Sequence, residues 1–396
     1  MRIGVNTLFL LPGEVGGSET YLLQTLLAMA ANDEETEFVL FTNQENHAFL
    51  QSKLDRFPQV AFELLSFQAD NRIHRILREQ IQLPRLAPRH GVDVLWSPGY
   101  TAPMVCPVPQ VVSILDMQYK RHPEDLGFVA RLTLDILIRF AARNARLLLT
   151  ISHFSKSEIL KHTSADPDRI RVTPLAAAPI FSTHPPSSID DMESVGKLLP
   201  FNEPYLLCVA NTYPHKNVAA LIRAFNKIHG RIPHRLVLVG KPRRGEPQVT
   251  QALNSSPDLS RVLRLKGLSA PDLAALYRNA SLFVFPSLYE GFGLPVLEAM
   301  IAGTPVLATR HGAVPEVCGD NAWYFSPKTE GDLERMILQL LHMPRESLRE
   351  RTWRAQQAAK RYSWARTAQE TRDCLQQAAS GKIRSTRATA TNSRHP

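Results

Sequence analysis

Short runs of branched and aromatic residues alternate along this chain with longer stretches whose apolar residues recur at helical spacing. RIGVNTLFL (2–10), EFVLFT (37–42), VDVLWS (92–97), PQVVSILD (109–116) and RLLLTIS (146–152) form a first series of strands. YLLCVAN (205–211), RLVLVG (235–240), VLRLKG (262–267), SLFVFPS (281–287), TPVLAT (304–309) and AWYFSP (322–327) form a second. Near-continuous apolar strands separated by helices are covered on both faces, so the pattern predicts two doubly wound α/β domains with parallel sheets. The join falls in 177–203, where IFSTHPPSSIDDMESVG is dense in Pro, Ser and Asp and has no sustained period. A last helical stretch covers about 345–379, and the basic segment after it has too little apolar surface to order itself.

One segment breaks the pattern of apolar faces turned inward. In NRIHRILREQIQLPRLAPRHG, residues Ile73, Ile76, Leu77 and Ile81 make an apolar face, while Arg72, Arg75, Arg78, Arg85 and Arg89 make a basic one. The first expectation is a surface helix whose apolar face packs on the N-terminal sheet. The alternative is a peripheral contact with an anionic membrane through residues 71–90.

Composition narrows the class. At 396 residues, 44% of them hydrophobic, the chain is long enough for two cores. The net charge is +9, of which Lys382, Arg384, Arg387 and Arg394 in the tail supply four, and the modest remainder does not point to nucleic acid. Four scattered cysteines fit neither a zinc site nor a disulfide framework and suit a reducing cytoplasm. No run reaches the roughly 18 apolar residues a spanning helix requires, and the start lacks the layout of a secretory signal, so any membrane contact is expected at the inner face and peripheral.

The chemistry concentrates in PSLYEGFGLPVLEAMIAGTP (286–305), which sets Glu290 and Glu298 on either side of a GFGLP turn. Pro295 suits a first helical turn, and Gly303 before Pro305 is a stop, so a helix spans about 295–302. Its amino end, preceded by Gly291 and Gly293, offers unpaired amides and a partial positive charge to a phosphate. Glu298, in the first turn, is placed to accept two hydrogen bonds from a vicinal diol such as a ribose. Two further loops share the strand–loop–helix layout: one carries Gly13, Gly16 and Gly17, the other His215 and Lys216.

The stretch from Glu290 to Glu298 resembles the E-x7-E motif of the retaining, nucleotide-sugar-dependent glycosyltransferases of GT-B fold. HGVDVLWSPGYTAP, LTISHFSKSEI, ANTYPHKNVAALIRAF, KGLSAPDLAALYRNA and HGAVPEVCGDNAWYFSP occur in the order such enzymes show, and the likeness covers nearly all of residues 1–375. It implies an acceptor-binding Rossmann-like domain at 1–180, to which a final helix at about 362–378 returns, and a nucleotide-sugar-binding one at 181–361, with 380–396 a disordered tail. It also implies sugar transfer from a nucleoside diphosphate sugar to a glycan or lipid-linked acceptor, with mannose a mild preference, neither metal nor cofactor, and the nucleotide sugar as substrate. Under this likeness Glu290, Lys216 and Asp116 are catalytic. Donor binding falls to Glu298, Gly16, Gly17, His215, Asn211, Gly291, Phe292, Gly293, Leu294, Lys266 and Leu268.

The sequence departs from the family pattern twice. Asn211 stands where an Arg is common, and Leu115 where a His usually precedes Asp116. His122 and His153 are candidates to replace that histidine. Asp166-Pro167-Asp168 mimics a metal-binding pair of carboxylates, but its place before RIRVTPL marks a turn. Two alternative functions stay open at this level: a nucleotide-sugar-binding partner subunit with little catalysis, and a nucleotide-sugar epimerase.

Overall fold

The two series of strands form two separate parallel sheets in the structure, a computed structural model that describes residues 1–181 and 189–381. The first sheet holds β1 (Arg2–Asn6), β2 (Glu37–Thr42), β3 (Val60–Leu64), β4 (Val94–Ser97), β5 (Gln110–Ser113), β6 (Leu147–Thr150) and β7 (Ile170–Val172), in the order β3-β2-β1-β4-β5-β6-β7. The second holds β8 (Tyr205–Val209), β9 (Arg235–Val239), β10 (Val262–Leu265), β11 (Leu282–Phe285), β12 (Val306–Thr309) and β13 (Trp323–Phe325), in the order β10-β9-β8-β11-β12-β13. Every strand pair is parallel. Strand order reverses between β1 and β4 in one sheet and between β8 and β11 in the other. Crevices open above the carboxyl ends of parallel strands at such reversals, so the topology alone fixes where a ligand fits.

Edge strands and surface helices depart from the sequence pattern. β3 escapes a search for near-continuous apolar runs because, at the sheet edge, it buries no residue fully. The helices that position the site are α1 (Gly17–Asn32), α2 (Arg72–Ile81), α3 (Phe128–Asn144), α4 (His153–His162), α5 (Ile189–Leu198), α6 (Val218–Ile228), α7 (Ala270–Asn279), α8 (Leu294–Ala302), α9 (Arg345–Ala359) and α10 (Trp364–Ser380). α5 lies inside the segment read as a structureless join. Arg278 on α7 holds it there, donating through Nε and Nη2 to the Asp191 carboxylate at 2.5 Å, both side chains almost fully buried. A bidentate pair of this kind is a tertiary contact that local periodicity does not carry.

The stretch 345–379 is two helices rather than one. Ser363 caps the second, accepting from the Arg366 amide at 3.2 Å. That second helix, α10, returns to the N-terminal lobe and packs on α1, where Arg372 donates to Asp33 at 2.7 Å. Of the segment 380–396, read as a disordered basic tail, Ser380 belongs to the end of α10, and residues 382–396 lie outside the described residues.

The expectation for α2 is reversed. Ile73 is 70% exposed, Leu77 and Ile81 are also turned to solvent, and the residue the helix buries is Glu79. The cause is polar: Glu79 accepts from Asn6 Nδ2 and Thr101 Oγ1, each at 3.0 Å, anchoring that face to β1 and the loop after β4. Asp166 does what its turn position requires, accepting from the Asp168 amide at 2.9 Å.

Candidate functional site

The loops that follow β1, β4, β5, β8 and β11 converge at the two strand-order reversals and enclose a cavity of about 520 Å³ between the lobes. Gly16, Asp116, Lys216, Glu290, Gly293 and Glu298 all line it. A larger hollow of about 830 Å³ involves Arg2, Glu37, Phe38 and Gln59, at the amino ends of β1 and β2. It lies at the wrong end of the sheet for α/β ligand chemistry and is crossed by the surface pair Arg2–Glu37.

The wall of the cavity is built from α8. Gly293 takes φ +101°, a left-handed conformation that turns the chain from the β11 loop into the helix, and Gly303 at φ +77° ends it. Val296, Leu297, Ala299, Met300 and Ala302 are buried, so packing fixes the helix with its positive amino end at the cavity, where Leu294 and Pro295 line the wall and the Val296 and Leu297 amides donate to the Gly293 carbonyl at 3.0 and 3.2 Å. Glu298 keeps partial exposure to the cavity and accepts from the Tyr277 hydroxyl at 3.0 Å. Burial pushes its carboxyl up to about 7, against a smaller lowering by that hydrogen bond.

Glu290 pairs with Lys216, whose Nζ lies 2.7 Å from Oε1, with little of either side chain exposed. The Glu290 backbone is clamped. Its carbonyl accepts from the Ala313 amide at 2.9 Å, and a Cβ on Gly312 (φ +62°) would stand 2.4 Å from the same oxygen. Lys216 ends a tight turn, Pro214–Lys216, and Asn217 in left-handed conformation (φ 54°) starts α6 immediately after it.

Asp116 comes from the other lobe. It accepts from the Gln118 amide at 3.1 Å and the Tyr100 hydroxyl at 3.3 Å, and burial raises its carboxyl, with the Lys216 charge opposing. Gly291 makes room for it, since a Cβ there would come within 2.7 Å of the Asp116 Cβ. Ser152 donates to the Gly291 carbonyl at 2.6 Å, and the Met117 amide donates to the Tyr289 hydroxyl at 3.1 Å. The two lobes therefore meet on residues 289–291.

The other anticipated residues divide. Gly16 (φ +58°) and Gly17 turn the β1 loop into α1 on the cavity wall, with Leu294 opposite, while Phe292 packs its ring edge-on against Tyr362 at 5.5 Å. Asn211 lines the cavity and accepts from the Lys241 amide at 2.8 Å, so it ties one loop to the next. His215 is buried, stacked with Tyr213 at 5.6 Å and beside His122 at 5.1 Å. His122 comes from the N-terminal lobe to touch His215 and Tyr289 but lies outside the lining of the cavity. The exposed His153 sits at the start of α4, where its amide donates to Glu316. Lys266 and Leu268 lie outside the lining of the cavity.

Three contributors were not anticipated. Tyr100 holds φ 71°, a strained value for a bulky residue, at the edge of the cavity. Lys241 and Arg243 reach across from the C-terminal lobe to the glycine loop: Lys241 Nζ donates to the Gly13 carbonyl at 2.7 Å and Arg243 pairs with Glu14 at 3.1 Å. Sequence marks each weakly, by SPGY after a strand and by KPRR after another.

Two family models match the chain, one in each lobe: "Glycosyltransferase Family 4" over residues 15–177 and "Glycosyl transferases group 1" over residues 203–343. The O-antigen chain mannosyltransferase B of Escherichia coli is 33% identical over 224 residues, 56% of this chain and 58% of that protein. The MMP alpha-(1->4)-mannosyltransferase of Mycolicibacterium hassiacum is 31% identical over 235 residues, 58% of this chain and 54% of that protein. In both cases the match spans only a little over half of the relative's length. Among solved structures, Anabaena HepE in complex with UDP and glucose superposes with TM-score 0.75 at 19% identity, covering 95% of this chain and 99% of that one. WaaG, a glycosyltransferase involved in lipopolysaccharide biosynthesis, gives 0.70 at 17%, with 95% and 99% covered.

Proposed function

We propose that this chain, which belongs to the group 1 glycosyltransferases of GT-B fold, transfers a sugar from a nucleoside diphosphate sugar to an acceptor hydroxyl with retained anomeric configuration. The observation that carries the reading is the meeting of Lys216, Glu290 and Asp116 in one interlobe cavity, beside the amino end of α8 with Glu298 in its wall.

Cleaving an anomeric bond builds positive charge on the sugar and negative charge on the departing diphosphate. Lys216 and the positive amino end of α8 face the second charge and are in place before it develops. Glu290 and Asp116 face the first. In this reading a bound diphosphate competes with Glu290 for the Lys216 ammonium and frees the carboxylate for the sugar. The acceptor hydroxyl approaches the face the leaving group vacates, and a departing phosphate oxygen takes its proton. The ribose hydroxyls fall to Glu298.

The sugar is proposed to be mannose and the product a polysaccharide of O-antigen or lipopolysaccharide type, since the mannosyltransferase relatives point that way. The place of work is proposed to be the surface of a membrane. No helix among the described residues is long and apolar enough to cross one. The outer faces of α2 and α3 expose Ile73, Leu77, Phe128, Val129, Leu132 and Ile136 beside the exposed Arg78, Arg85, Arg139 and Arg143. Apolar surface rimmed by arginines suits anionic headgroups.

Release of nucleoside diphosphate from a panel of nucleotide sugars tests the reading. GDP-mannose is expected to give turnover that needs an acceptor and stops in Glu290→Gln. Nucleotide binding with no turnover on any donor and acceptor would favour a binding subunit instead.

A further inference from the structure

A second cavity of about 330 Å³ adjoins the first on the N-terminal lobe. The two share Ser18, Tyr100, Asp116, Gln118 and Tyr213, so whatever fills the second reaches the reacting centre. Its remaining wall is largely apolar, with Phe9, Ile76, Leu126, Leu134 and Leu137. Into this wall α2 sends Arg72 and Arg75, three positions apart and therefore on one face of the helix.

Neither arginine has a carboxylate partner at ion-pair distance among the described residues. Arg72 Nη2 donates to the Ala130 carbonyl at 3.0 Å, and its Nε is buried with no hydrogen bond. No hydrogen bond or ion pair among the described residues engages the Arg75 guanidinium, which feels the Glu79 charge only through space. Glu79 itself is committed to Asn6, Thr101 and Gln80. Burial weakens the hold of both guanidinium groups on their protons, and the Arg75 charge adds to that at Arg72. Two like charges partly withdrawn from water and unpaired are a cost that a dianion would offset, with a guanidinium fork matched to its oxygens.

We propose that this second cavity is an acceptor subsite for a phosphate group, held by Arg72 and Arg75. The hydrocarbon part of the same molecule lies against Ile76, Leu134 and Leu137 and runs out onto the exposed Ile73, Leu77 and Phe128. The acceptor class is thus a phosphate-bearing amphiphile whose accepting hydroxyl is presented at Asp116. This inference rests on the glycosyl-transfer reading above.

Calorimetric titration of the full chain with decyl phosphate, inorganic phosphate and uncharged decyl glucoside tests it. Decyl phosphate is expected to bind about tenfold more tightly than either other probe, as expected when one charge-assisted contact and one apolar contact add. Arg72→Gln and Arg75→Gln should each weaken it by about tenfold, and Arg75→Lys should recover part of the loss. Equal affinity for decyl glucoside, or unchanged decyl phosphate affinity in a double Arg72→Gln/Arg75→Gln variant that melts like the parent, would overturn the anion site. Inorganic phosphate binding as tightly as decyl phosphate would overturn the amphiphile in favour of a water-soluble phosphate ester. Nucleoside diphosphate, titrated in parallel, separates the two readings. Its binding without decyl phosphate binding sinks this inference alone, whereas decyl phosphate binding without nucleotide binding sinks the glycosyl-transfer reading and with it the acceptor role, leaving only the anion site.

Discussion

Helices α8 and α3 both carry large apolar residues on opposite sides, yet the molecule treats them differently. α8 is wrapped by its own chain, with α7 and α9 against it, and buries Val296, Leu297, Ala299, Met300 and Ala302. α3 buries only Leu137, Ile138, Ala141 and Ala142, while Phe128, Val129, Leu132, Ile136 and Phe140 on the opposite side face solvent. Large apolar side chains gathered on one exposed side of a helix mark a surface that a partner covers, and no described residue covers the outer face of α3. In the proposed reading α8 serves the donor and α3 marks the acceptor side.

Changes at the donor side should have the largest effects. Lys216→Ala is expected to lower turnover by roughly 100- to 1000-fold, the usual cost of removing one pre-organised electrostatic group, measured as nucleoside diphosphate release at saturating donor. A loss under threefold would remove Lys216 from the leaving-group role. Next comes packing. Leu297→Ala should cost about 2–5 kcal/mol in chemical denaturation because it opens a cavity in a closed core, whereas Leu132→Ala should stay within about 0.5 kcal/mol. Equal costs at the two positions would show that α3 is covered after all.

The double change Leu132→Ser/Ile136→Ser should reduce recovery with anionic vesicles at low salt by about tenfold, since each side chain contributes about 1.5–3 kcal/mol if fully buried. Equal recovery of the parent on neutral and anionic vesicles would end the membrane proposal. A smaller, several-fold effect is expected from Glu298. Its carboxyl lies at about 7 rather than the ordinary 4.5, so the unliganded protein gives up stability as pH rises from 4.5 through 7. Glu298→Gln should therefore raise the melting temperature above pH 7 and leave it unchanged near pH 4.5. Nucleotide affinity should run the other way, falling as the pH drops below 7 in the parent but not in Glu298→Gln, because the ionised carboxylate is the stronger acceptor for ribose hydroxyls. The smallest effect is none: removing divalent metal with EDTA should leave turnover unchanged, because in the proposed mechanism Lys216 and the amino end of α8 supply the positive charge.

Much of the donor side was legible in the sequence because its parts are local. Gly293, Pro295 and Gly303 bound α8 within a few residues, and Glu290 and Glu298 ride on that short frame. Lys216 follows its own strand by a few residues in the same way. The acceptor side was read less well. α2 turned Ile73, Leu77 and Ile81 outward because Glu79 is bound by Asn6 on β1, a partner 73 residues away that no periodicity reports. Tyr100 joined the site through a left-handed backbone that only the surrounding packing enforces, with Gly99 so close to Phe9 that a Cβ would stand 2.2 Å from its ring. Lys241 and Arg243 gained their role from the opposing lobe.

By itself the sequence determined the alternation of strands with helices and the chemistry carried on loops next to their own strands, because each depends on spacing between near neighbours. The tertiary structure decided which face of α2 is buried, how the Arg72–Arg75 pair comes to line a cavity open to Asp116, and how two lobes close on residues 289–291. Those outcomes depend on groups far apart in the chain, and buried polar partners and like charges decide them through distance in space.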